Sequence, residues 1–252
     1  MAVGVGEERL HKTIRAKLGA GKDFHPLFSQ KPFHGMGIDS KDFMPKYTKL
    51  DDLADPAKVG TNSVGMITSE MPDLVMINLG IDPGPSGPDE WREAAAWLLH
   101  QRESGTVRKY YDQGYVDDFT AGNLAATLAW SGDVIYYNVW GGYPNLQFVF
   151  PEGGALIWVD NMMIPASATN PVGAIQLMDW VYQPEIAQKI TEWVFYMTPC
   201  GGVKDLIAAH AAEERAAGKA ALADKLDATA TNENLFPSDA LLQRTDRKST
   251  RL

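Results

Sequence analysis

Between Val64 and Val194 short apolar runs alternate with capped helical segments, and this alternation restricts the fold more than any single residue does. VGMIT (64–68), TLAW (127–130), LQFVF (146–150) and ALIWV (155–159) have the length and composition of strands. SEMPDLVMINLG (69–80), SGPDEWREAAAWLLHQR (86–102), NPVGAIQLMDWVY (170–182) and PEIAQKITEWVF (184–195) have helical spacing. Their ends carry local signals. Ser69 and Asn170 suit N-caps, Pro88 and Pro171 suit first turns, Asp89 and Glu90 suit the positive helix end, and Gly80 suits a stop. Trp91, Ala94, Ala95 and Leu98 form one apolar stripe, with Trp91 and Trp97 read as packing residues. Ile186, Ala187, Ile190 and Val194 form another. Strands alternating with helices predict an α/β fold with a parallel or mixed sheet, and such sheets hold ligands in the crevice at their strand ends.

The flanks are less ordered. Residues 1–47 are poorly patterned: a short basic helical stretch, EERLHKTIRAKL, is followed by a loop rich in Phe, Pro and Gly. Residues 203–230 are rich in Ala, Glu and Lys, which predicts an exposed helical segment of modest packing. The tail TDRKSTRL has no evident structure.

At 252 residues the chain is long enough for one large domain or two small ones. With 45% hydrophobic and 10% aromatic residues it belongs with folded proteins. A net charge of −9 disfavours non-specific binding to nucleic acid or anionic membrane and is compatible with a cationic ligand. The single cysteine, Cys200, allows no intramolecular disulfide. No run reaches the ~18 apolar residues of a membrane span, and the first twenty residues lack the apolar core of a signal peptide.

Motifs for catalysis are sparse. The glycine pairs at 141–142, 153–154 and 201–202 lack the spacing of a phosphate loop or dinucleotide fingerprint. His11, His25, His34, His100 and His210 are scattered, without metal-ligand spacing. No G-x-S-x-G elbow occurs. The expectation is a protein that is not an enzyme and holds no metal or cofactor.

What recurs instead is an aromatic next to an acid at the end of an element. Trp130 is followed by Asp133, Trp158 by Asp160, and Tyr196 closes a helix; Glu70 and Asp73 open one. Trp130 and Trp158 equally suit a core, Glu70 and Asp73 suit a helix N-terminus, and Asp133 suits a cap. Asp160 fits these readings least. An aspartate in an apolar strand needs a partner or a ligand, and two residues after Trp158 it shares that ring's face. Rings and carboxylates together suit an aliphatic di- or polyamine. The rings attract ammonium groups and cover the methylene stem, and the carboxylates form charge-assisted hydrogen bonds.

At these residues a family resemblance enters. GPDEWREAAAWLLHQR, LAWSGD, FVFPEGGALIWVDNMMIPASATNPVGAIQLMDWVYQPEIAQKI, EWVFYMTPCGGVK and LFPSD (235–239) resemble the periplasmic solute-binding proteins of polyamine ABC importers, of the spermidine/putrescine-binding type. The resemblance runs from about Lys49 to Lys204. It implies a type II periplasmic-binding-protein lobe, a mixed sheet flanked by helices, with an incomplete second lobe. The implied division is 1–47 as an N-terminal segment, 48–152 as the α/β lobe, 153–202 as a crossover strand and helices of the other lobe, and 203–252 as a C-terminal helical segment and tail.

The resemblance also implies that Trp130, Trp158, Asp160 and Tyr196 line a cleft between lobes, with Glu70 and Asp73 adding carboxylates. Pro72 stands where the family commonly has an arginine. The implied partners are a polyamine such as putrescine or spermidine and the membrane permease subunits of an ABC importer, with no nucleic acid. The implied location is periplasmic, or extracellular and lipid-anchored, for a longer parent that carries the signal peptide. The family's first lobe and its early strands have no counterpart in residues 1–45, so a chain truncated at the N-terminal lobe is expected, with weak or no ligand binding and partly exposed faces on the helices of 170–195. Alternative expectations are a different small solute on the same fold and a glycosidase built on paired carboxylates.

Overall fold

The computed structural model describes residues 29–30, 33–39, 49–68, 70–112, 114–157 and 160–238. Its eight strands are β1 (Ser29–Gln30), β2 (Phe33–Asp39), β3 (Val64–Ile67), β4 (Val107–Tyr111), β5 (Ala126–Trp130), β6 (Leu146–Val149), β7 (Leu156–Ile157) and β8 (Asp160–Asn161). The α-helices are α1 (Pro56–Val59), α2 (Met71–Asn78), α3 (Pro88–Glu103), α4 (Tyr115–Thr120), α5 (Ser131–Ile135), α6 (Pro171–Val181), α7 (Pro184–Val194), α8 (Val203–Ala216) and α9 (Ala220–Ala230). A 3-10 turn at Leu50–Ala54 precedes α1, and a π-helical turn at Tyr136–Trp140 extends α5.

The main sheet runs β4-β3-β5-β2-β6, with β7 also paired to β2. β3 is parallel to both β4 and β5, whereas β2 is antiparallel to β5, β6 and β7. The mixed α/β architecture expected from the alternating pattern is therefore present. All four residues of β3 are buried, as befits a strand covered on both faces. The core joins this strand to Leu74, Val75 and Met76 of α2, Tyr115 and Phe119 of α4, and Leu128 of β5.

Several elements depart from the local pattern. β2, in the segment read as poorly patterned, sits inside the sheet between β5 and β6. β4 and α4 are likewise unmarked by apolar periodicity. On α3 the covered side is Ala94, Trp97, Leu98 and Gln101, while Trp91 and Ala95 face solvent, so Trp91 is not a packing residue. Gln101 is buried because its amide donates to Leu53 O at 3.3 Å. Gly80 ends α2 with φ +82°, as its place after the last apolar residue predicts. Ser69 lies outside the described residues, and Glu70 takes the N-cap position without a side-chain cap bond. Asn170 caps α6 by accepting from Gly173 N at 2.9 Å.

The segment 203–230 is two helices, not one, broken at Gly218 with φ +79°. They form a second core with α7 through Ala187, Val203, Ile207, Ala211, Leu226 and Ala230, which corrects the expectation of modest packing. Trp140 joins this core to the sheet: its indole donates to Thr229 Oγ1 at 3.2 Å and lies under Lys225 Nζ at 5.3 Å. By contrast Val172, Leu177 and Trp180 of α6 and Trp193 of α7 remain exposed, Trp193 by 83%.

β3 and β5 approach closely at Gly65. A Cβ there would meet Thr127 Oγ1 at 2.5 Å and Leu124 Cδ1 at 3.0 Å. Gly65→Ala is expected to cost about 1–3 kcal/mol of stability through overpacking, measured by urea unfolding. Wild-type stability in that variant would show that the two strands have room to part.

Candidate functional site

The parallel strands end along one edge of the sheet. Ile67 pairs with Tyr111, and Val64 and Gly65 pair with Ala126 and Thr127, which carries Trp130 to that edge beside the starts of α2 and α4. β2 enters from the same side, with His34 opposite Trp130 and Phe33 opposite Ile157. Beyond it, Gln30 lies opposite Asp160 and Ser29 opposite Asn161, in the same register as the Phe33–Ile157 pair. The two short ladders thus place Asp160 past the end of the sheet, on the side where Trp130 ends β5.

Trp130 is half-buried and caps α5, with its ring edge-on to Tyr115 at 6.2 Å. Asp133 lies at the third position of α5. It is no cap: the half-buried carboxylate accepts a hydrogen bond from the Tyr115 hydroxyl at 2.6 Å. Burial raises the Asp133 carboxyl above its ordinary value of 3.8, and the Tyr115 bond partly offsets this. Among the described residues no Lys or Arg forms an ion pair with Asp133.

Tyr196 reaches this point through an unusual turn. Phe195, which ends α7, has φ 56° and ψ 35°, the left-handed region that bulky residues rarely enter. Its ring is buried against Tyr136 at 5.7 Å and Trp140 at 6.2 Å. That packing holds the strained backbone and turns the next residue, Tyr196, onto Gly132. A Cβ on Gly132 would meet Tyr196 Cδ1 at 2.6 Å and Val194 O at 2.9 Å, so only glycine lets the ring lie there. Burial raises the Tyr196 phenol, and the charges of Asp133 and Asp160 raise it further.

Of the residues singled out in the sequence, Trp130, Tyr196 and Asp160 therefore converge on this edge. Asp160 is exposed rather than embedded in an apolar strand. Trp158 lies outside the described residues. Glu70 and Asp73 sit at the start of α2, after β3 on the same edge; both are half-buried, and burial raises the Asp73 carboxyl. Asp133 as an inward carboxylate and Tyr115 as its donor are additions that local pattern did not mark. The only sequence signal was the W-S-G-D spacing itself. Cys200 is half-buried, with Sγ 3.4 Å from Tyr182 O and its thiol raised by burial, so it is no activated nucleophile.

A mixed α/β sheet thus presents rings and carboxylates where its strands end, the place where such sheets hold ligands. Residues 39–217 match the model of the bacterial extracellular solute-binding proteins, and the chain belongs to that family. The "Spermidine/putrescine-binding periplasmic protein" of Salmonella typhimurium is 23% identical over 224 residues, which are 83% of this chain and 63% of that one. "Spermidine/putrescine-binding periplasmic protein 1" of Haemophilus influenzae is 26% identical over 207 residues, 76% of this chain and 56% of that one. Among solved structures, the spermidine/putrescine ABC transporter substrate-binding protein PotD from Streptococcus pneumoniae superposes with a TM-score of 0.67 at 19% identity, over 88% of this chain and 61% of that one. The chain spans about three fifths of the length of these relatives.

A carboxyl raised by the fold destabilises its own charged form. Asp133 therefore costs stability above its folded pKa and costs nothing below its unfolded one. Asp133→Asn is expected to raise Tm at pH 7, and the gain should shrink as pH falls through the acid range. A variant less stable than wild type at pH 7 would show that the fold favours the carboxylate ion.

Proposed function

We propose that this chain captures an aliphatic di- or polyamine, such as putrescine or spermidine, for an ABC importer. The observation that carries the reading is the half-buried Asp133 carboxylate, held by Tyr115 beside the Trp130 ring, at the edge past which the strand register places Asp160. An ammonium group near Asp133 would restore the charge balance that burial disturbs, and would gain about 0.5–2 kcal/mol from each aromatic face it meets. Trp130 and Tyr196 would cover the methylene stem, and Asp160 would hold an ammonium at the open side. Trp158 is proposed to add a further ring, and Glu70 and Asp73 a more distant acidic rim. The printed names of the relatives support this choice of solute.

The same reading assigns a place and partners. The protein would act outside the cytoplasmic membrane, periplasmic or extracellular, and deliver its solute to permease subunits. Residues 48–152, joined in their sheet by β2 and β7, would form one lobe, with the helices of 170–195 reaching into a second. The exposed apolar side chains Val172, Leu177, Trp180 and Trp193 accord with helices that belong against such a lobe.

Ligand-observed saturation-transfer NMR tests the recognition of charge and detects weak binding. Putrescine and spermidine are expected to give transfer signals that fall with added salt and disappear in Asp133→Asn. Their neutral counterpart 1,4-butanediol should give none. Equal signals from the diol, or an unaffected Asp133→Asn, would sink the polyamine assignment.

A further inference from the structure

The edge that carries Trp130 and Asp133 is tied together by one hydroxyl. The backbone N–H of Trp130 can only donate, so across 3.2 Å it donates to Tyr115 Oη. The single phenolic proton is then directed to Asp133 Oδ2, 2.6 Å away. The Tyr115 ring also meets the Trp130 indole edge-on, at an interplanar angle of 76°. Tyr115 itself is 0% exposed, so it acts on a ligand only through its neighbours.

We propose that Tyr115 is a positioning residue that fixes the Trp130 ring and the Asp133 carboxylate relative to each other, and so sets the spacing at which a cationic ligand is gripped. This rests on the polyamine reading of the edge. The chemistry favours the role. A hydroxyl bonded to a carboxylate makes a short, charge-assisted contact that stops carboxylate rotation, while the remaining lone pairs stay available for an ammonium. Donor, hydroxyl and carboxylate in series also polarise one another, which strengthens the chain as a unit. The titratable groups that feel the charge of Asp133 are Tyr115 from α4, Tyr196 from the end of α7, and Tyr137 one turn on; Asp160 also acts on Tyr196, and Asp117 on Tyr137. Of these only Tyr115 has a hydrogen bond to the carboxylate among the described residues. Phenylalanine at 115 would keep the ring contact but remove both hydrogen bonds of the hydroxyl, the one from the Trp130 N–H and the one to Asp133.

Carboxyl-carbon NMR of aspartate-labelled protein, without ligand, reads the contact directly. Tyr115→Phe is expected to move the Asp133 titration upward, because the bond that favours its charged form is gone. Tyr137→Phe should leave the titration in place. In the wild type the Tyr115 hydroxyl proton should exchange slowly and be visible; in Asp133→Ala, which has no acceptor, it should broaden away, a reading that holds even if Tyr115→Phe does not fold. Putrescine binding at neutral pH should weaken by roughly tenfold in Tyr115→Phe, and further as the pH is lowered. An unmoved titration in Tyr115→Phe, an equal shift in Tyr137→Phe, or an unchanged hydroxyl proton in Asp133→Ala would overturn the proposal whatever the chain binds. A shifted titration in a chain that binds no amine would instead overturn the polyamine reading and leave the Trp130–Tyr115–Asp133 linkage standing.

Discussion

The insertion of Phe33–Asp39 between Ala126–Trp130 and Leu146–Val149 is the constraint on which the rest of the sheet depends. Without it β5 would end the sheet with a row of unpaired backbone groups, and β6 and β7 would have no strand to pair with. Its register does more than close the ladder. His34 opposite Trp130 sets how far the tryptophan reaches past the edge, and Phe33 opposite Ile157 starts the alignment that places Gln30 opposite Asp160. A slip of one residue would reverse which face every side chain of β2 meets. The geometry of the edge is thus a consequence of pairing between residues far apart in the chain, from 88 positions (Ile38 with Ala126) to 132 (Ser29 with Asn161).

That origin explains what could be read locally. β3, β5 and β6 are mostly apolar and stand out as short runs. β2 does not, because Gly35 and Gly37 carry no side chain and disfavour a strand in isolation. Its two antiparallel neighbours supply the stabilisation that its own residues lack. β4, VRKYY, is an edge strand with charged, mostly exposed side chains, so no apolar alternation marks it. Helices were legible where a cap or breaker sits in the text, as at Asn170 and Gly80. The hairpin at 203–230 was misjudged because small residues were taken to mean poor packing. Ala211, Ala223 and Ala230 are instead buried, their size letting the two helices approach.

The site shows the same division. Pairing an aromatic with an acid at element ends, together with the family resemblance, was enough to single out Trp130, Tyr196 and Asp160. It was not enough to separate Asp133 from an ordinary helix cap, because that distinction depends on where α5 begins. With Trp130 as the cap residue, Asp133 falls at the third helical position and turns toward Tyr115, a residue supplied by another helix. Likewise Gly132 reads as an unremarkable glycine until the ring of Tyr196, sixty-four positions on, is found lying against it.

Local costs accumulate at this edge. Phe195 holds a left-handed backbone, of order 1–3 kcal/mol for a non-glycine residue, and Asp133 holds a carboxyl that burial pushes toward its neutral form. Neither helps the fold on its own account. Both place groups, Tyr196 in one case and a negative charge in the other, where a solute can meet them. A cation bound at Asp133 would favour the charged carboxylate and so would be held more tightly by the folded chain than by the unfolded one. By mass action such a ligand stabilises the fold by about 2.7 kcal/mol at a hundred times its dissociation constant. The burial cost of the Asp133 carboxylate and its affinity for a cation are then two measures of a single electrostatic imbalance, located at the end of one strand and held in place by the register of another.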